Sequence, residues 1–150
     1  MSIRVKFKLG AIVAVLLLSF NSLPALSQAN VALPANLDIV APDPSISPDI
    51  RALSGKWYGM WNNYLEHILV VEAIKGKDDI TCVYGYGTAR RWNILKPGWV
   101  RFNGKFYDGG LHGTLPNGAE VTYKPQPDGT MKATYERNGN VSSATLKRLN

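Results

Sequence analysis

The chain has 150 residues, with 17 lysines and arginines against 11 acids, a formal charge of +6, one cysteine and two histidines. That length suits one small domain, and a single cysteine excludes an intramolecular disulfide, so packing alone must hold the fold. His67 and His112 stand 45 residues apart with no partner at ligand spacing, which excludes a His/Cys metal signature, and no phosphate loop, dinucleotide fingerprint or nucleophile elbow occurs.

Arg4, Lys6 and Lys8 precede Leu9 to Phe20, an apolar run of 12 residues. A spanning helix needs about 20 apolar residues, and Asn21-Ser22-Leu23-Pro24 ends this run early. Ser27-Gln28-Ala29 then places small residues where a signal peptidase reads. Residues 1–29 are expected to be a signal peptide cleaved after Ala29, with Ala25 the second choice. That gives a periplasmic or extracellular protein with no stable membrane insertion after cleavage. The 121 residues that follow carry a net charge of only +3, which discounts nucleic acid as a partner. Residues 30–48 hold Pro34, Pro42, Pro44 and Pro48 and no aromatic or basic side chain. This composition predicts a flexible or loosely docked arm.

The barrel domain is expected over residues 49–150. Ser47-Pro48-Asp49 opens a short helical turn and Gly55 stops it, leaving Ile50 and Leu53 to plug one end of a barrel. From Lys56 the period is two, and Asn62-Asn63 marks the first turn. Leu65 to Ile74 is apolar on both parities, as in a central strand covered on both sides or bent across a barrel. Ile80 to Tyr86 places Cys82 at a buried position, where a thiol behaves as a small apolar group. After an irregular stretch, Trp99 to Tyr107 is the next strand. Four more follow over 111–115, 119–124, 130–137 and 141–148, separated by glycine-bearing turns. Their inward sets are Leu111, Gly113, Leu115; Ala119, Val121, Tyr123; Met131, Ala133, Tyr135; and Ala144, Leu146. About eight short strands with no crossover helix predict an all-β fold, an antiparallel up-and-down barrel or strongly curved meander. A two-sheet sandwich or open curved sheet is the alternative.

Gly55-Lys56-Trp57 after a helical turn and before an antiparallel meander resembles the calycin superfamily, which includes lipocalins and avidin-like proteins. The resemblance implies that the Trp57 indole packs across one barrel end and that Arg148, near the end of the last strand, packs against it as a structural pair. The strands here are shorter than those typical of lipocalins, so no deep lipid-sized cavity is expected.

Chemistry is carried mainly by aromatics, since four Trp, seven Tyr, Phe102 and Phe106 all fall between Trp57 and Tyr135. Core mass in place of a disulfide is one use for them. Beyond that, Trp61, Tyr84, Tyr86, Trp92 and Trp99 are the candidate ligand-binding residues at a barrel mouth, with Arg90 and Arg91 as donors. The leading expectation is a non-catalytic module holding a small hydrophobic ligand or a glycan, without cofactor. An inhibitor or accessory domain for an envelope or secreted enzyme, working through the arm, is the second reading. A small hydrolase or isomerase using His67 is the third. Glu66 cannot orient His67, because neighbours on a strand face opposite ways. His67 is read as capping the rim of a sheet and His112 as facing outward.

Overall fold

The computed structural model describes residues 30–150, and the expected signal peptide lies outside the described residues. A single helical turn, α1 (Pro48–Arg51), precedes eight strands: β1 (Gly55–Trp61), β2 (Leu65–Gly76), β3 (Asp79–Tyr86), β4 (Gly98–Tyr107), β5 (Gly110–Thr114), β6 (Glu120–Pro125), β7 (Met131–Arg137) and β8 (Asn140–Leu149). A 3-10 turn at Arg90–Trp92 lies in the long β3–β4 connection. Each strand pairs antiparallel with its sequence neighbour, and β8 returns to pair with β1, setting Trp57 opposite Arg148. The sheet is therefore a closed up-and-down barrel. Closure leaves no unpaired edge, which is what separates it from the sandwich and open-sheet alternatives.

Alternation drives the assembly. Along β6, Val121 and Tyr123 are buried while Glu120 is exposed, and along β7 Met131 and Ala133 are buried while Lys132 and Thr134 are exposed. Asn138 and Gly139 both take positive φ (51° and 77°), as the two-residue turn between β7 and β8 demands. One end of the barrel is sealed by α1, whose Ile50 and the following Leu53 are buried in the main core. The Trp57 Nε1 donates to the Leu53 carbonyl at 2.9 Å. The Arg148 guanidinium lies 4.2 Å from the centre of the Trp57 ring and donates to the carbonyls of Ser54 and Ala52. Gly55 has a φ of +113°, and a Cβ there would stand 2.9 Å from Arg148 Nη1, so a bare backbone lets the arginine cross the seam.

Of the two forms its composition allowed, flexible or docked, the proline-rich arm takes the docked one. It runs without regular structure along the outside of β2 and β3, where Val31, Leu33 and Leu37 pack on Ile68, Val70 and Val83. Its backbone is pinned by Val40 N–H donating to the Glu72 carbonyl at 2.8 Å. Arg101 donates to the Glu72 carboxylate at 2.8 Å and to the Asn36 carbonyl at 3.2 Å. The guanidinium holds the Glu72 carboxyl below the usual carboxylate range. This docking explains why β2 is apolar on both parities: its inner face meets the barrel core and its outer face meets the arm. At Gly85 the fit is tightest, since a Cβ would lie 2.8 Å from the Ala32 carbonyl oxygen. Gly85→Ala is therefore expected to lift the arm. Limited proteolysis within residues 30–40 should accelerate severalfold, while the near-ultraviolet circular dichroism of the barrel stays as in wild type. An unchanged cleavage rate would show that the arm does not need this contact.

Candidate functional site

Strand direction sorts the functional side chains. With α1 at the start of β1, the opposite barrel end collects the end of β1, the start of β2, the end of β3 and the β3–β4 connection, and likewise the β5–β6 turn, the end of β7 and the start of β8. That end is open and holds a cavity of about 630 Å³, within the range of about 300–1,000 Å³ usual for small-ligand sites. Its most enclosed lining residues are Trp61, Leu115, Leu65 and Tyr84, 1%, 4%, 5% and 5% exposed. Tyr86, Val100 and Tyr135 line it further. The β3–β4 connection lends Trp92, Asn93, Ile94, Leu95 and Lys96, and Asn117, Arg137 and Ser142 complete the mouth.

Beneath the cavity lies a layer of rings. Trp61 stacks on His67 with centroids 5.1 Å apart, and Tyr84 tilts against the same imidazole at 4.3 Å. Tyr135 meets the Trp61 indole edge-on at 6.0 Å. His67 is completely buried, which overturns its placement at a sheet rim: it shares the inward parity of Leu65 and Leu69 and lies below the mouth. Its Nδ1 is 2.8 Å from the Gly85 carbonyl and its Nε2 is 2.9 Å from the Tyr123 hydroxyl. A carbonyl can only accept, so Nδ1 carries the hydrogen and Nε2 accepts from Tyr123. Burial without a charged partner drives the histidine pKa down to about 3, keeping the ring neutral. Burial also pushes the Tyr84 and Tyr123 phenols up. His67 does not line the cavity, and both its nitrogens are engaged, so it serves as a hydrogen-bonded core residue.

One polar atom of this layer is unmet. The Trp61 indole N–H is buried and has no hydrogen-bond partner, although the Tyr84 hydroxyl is near enough for that N–H to favour its ionised form. An unmet buried donor costs about 1–3 kcal/mol.

Of the residues singled out from sequence, Trp61, Tyr84, Tyr86 and Trp92 converge on the cavity. Trp99 does not. It is 41% exposed on the outer wall, with the Arg101 guanidinium 5.5 Å above its ring, because its neighbour Val100 takes the inward position. Arg90 and Arg91 are exposed on the 3-10 turn and do not line the cavity. The Arg91 guanidinium lies 5.1 Å from the Tyr64 ring centre, and its backbone N–H donates to the Tyr64 hydroxyl. Lys96, Asn117, Tyr135, Arg137 and Ser142 were missed, although a signal existed for three of them. The inward series Met131, Ala133, Tyr135 continues to Arg137, and the series Leu146, Ala144 runs back to Ser142. Cys82 is buried, with its thiol pushed up by burial, and Glu66 bonds the Tyr58 hydroxyl on the outer wall. Among the described residues no cluster of three or more His, Cys, Asp or Glu side chains is placed to share a metal ion. No protein-family model and no curated protein matches this chain, so its function has to be read from this geometry.

Proposed function

We propose that this protein is an exported, non-catalytic binding module that holds a small ligand in the open end of its barrel. The observation that carries the proposal is the aromatic cavity of about 630 Å³ at one end, set against an opposite end sealed by α1, Trp57 and Arg148. Export rests on the sequence of residues 1–29. Kinship with the calycins rests on Gly55-Lys56-Trp57 and on the cation–π pairing of Arg148 with Trp57, an arrangement the barrel topology suits. The fixed, neutral state of His67 favours binding over acid–base chemistry.

The test uses the intrinsic fluorescence of the mature protein, residues 30–150, titrated with a panel of small apolar molecules, glycans and lipids. Trp61 and Trp92 line the cavity, whereas Trp57 sits at the sealed end and Trp99 on the outer wall. An occupied cavity should shift the wild-type emission, and the response should vanish in Trp61→Phe/Trp92→Phe. A flat response across the whole panel would remove the cavity reading and shift weight to an accessory protein-interaction role.

A further inference from the structure

The cavity has a charge as well as a shape. Two of its lining residues are basic, Lys96 from the β3–β4 connection and Arg137 from the end of β7, and no Asp or Glu lines it. Neither cation forms an ion pair among the described residues, where Glu72 pairs with Arg101 and Asp108 with Lys124. Arg137 is the more telling of the two. It is the fourth member of an inward series whose first three, Met131, Ala133 and Tyr135, face the core, so alternation turns an arginine toward the mouth where a solvent-facing position lay one residue away. Arg90 and Arg91, in the same connection as Lys96, add to the positive field over that end without lining the cavity. Below the rim the surface is mainly aromatic and aliphatic. Cations at the rim and no acid form a complementary surface for a negative ligand.

We infer that the ligand is a compact anionic amphiphile: an apolar or aromatic body packed against Trp61, Tyr86 and Trp92, with a carboxylate, sulfate or phosphate met at the rim by Lys96 and Arg137. This rests on the cavity reading above and adds to it the sign of the ligand's charge. A free acid and the head of a short lipid share this chemistry, and the two are distinguished by whether removing the acyl chain abolishes binding.

Two fluorescent dyes with the same ring system separate charge from shape. Anilinonaphthalene sulfonate carries the anion and phenylnaphthylamine lacks it. With the mature protein at low ionic strength, the sulfonate dye should bind about tenfold more tightly than its neutral counterpart, and added salt should narrow the gap. Lys96→Gln/Arg137→Gln should weaken the sulfonate dye far more than the neutral one and so remove that preference. Lys132→Gln/Lys147→Gln, on the outer wall of β7 and β8, removes the same charge elsewhere and should leave the preference intact. Equal binding of the two dyes to wild type, or a preference that survives Lys96→Gln/Arg137→Gln, overturns the anionic ligand while the cavity reading stands. If neither dye binds, the cavity reading falls and the anionic ligand falls with it. A preference lost equally in both double variants would trace it to net charge and overturn the rim assignment.

Discussion

Trp57→Ala is expected to lower the free energy of unfolding by about 3–5 kcal/mol, the range for deleting a large buried aromatic, measured by urea denaturation at neutral pH. The indole is 4% exposed, and three things depend on it. Its face carries the Arg148 guanidinium, its N–H satisfies the Leu53 carbonyl, and its area covers the end of the core where α1 docks. Small domains are stable by only about 5–15 kcal/mol, so the variant should be close to unfolding at body temperature. Trp57→Phe keeps most of the apolar area and drops the N–H, and should cost about 1–2 kcal/mol. The order Ala, Phe, wild type is thus fixed by the geometry. A Trp57→Ala unfolding free energy within about 1 kcal/mol of wild type, near the effect of a surface substitution, would show that α1 and Leu53 seal the barrel unaided.

Acid should destabilise the protein well above the usual carboxylate range, and His67 is the reason. Its pKa falls from 6.5 in the unfolded chain to about 3 in the folded protein. Between those values the unfolded state binds a proton that the folded state refuses. Stability is therefore complete above about pH 6.5 and declines as pH falls, by up to about 1.4 kcal/mol per pH unit, until the folded ring itself protonates near pH 3. Glu72 contributes a second, lower limb with the same sign. Its folded pKa is depressed by the Arg101 hydrogen bond, so its contribution is present above the ordinary value of 4.5 and lost as pH drops through the lower folded value. The two separate by window. His67→Gln should flatten unfolding free energy between pH 6.5 and 4.5 and leave only the shallower carboxylate limb below that window. A slope in that upper window that persists in His67→Gln would show that some other group takes up the proton.

Much of the barrel is legible in the chain because period two and glycine turns are local signals. The inward residues of β5 to β8 follow directly from alternation, whereas the pairing of Trp57 with Arg148 was implied by the calycin resemblance and not by the strand pattern. The docked arm was hidden by its own composition: prolines and the lack of aromatics resemble a tether, while the apolar side chains that matter, Val31, Leu33 and Leu37, are few. The clue lay in β2, whose Ile68 and Val70 on the outer parity required a cover. The mouth was half legible. Trp61, Tyr84, Tyr86 and Trp92 stood out as aromatics, but Trp99 was grouped with them because the irregular stretch before it obscured the phase of β4. Lys96 and Arg137 come from segments about forty residues apart in sequence, brought to one rim only when a sheet of this strand number closes.

The β1–β8 seam sets the order in which the molecule can be completed. It joins Lys56 to Leu149 and Trp57 to Arg148, almost the full length of the domain, so the contact that closes the cylinder has the largest loop-closure entropy of any in the fold. Hairpins from β2 through β7 can form as the chain emerges, but the ring cannot close until the last strand is available. Until then the Trp57 end remains open and its apolar lining exposed. Closure of the cylinder is in this sense gated by β8, which carries Arg148 back over the indole to the carbonyls preceding β1.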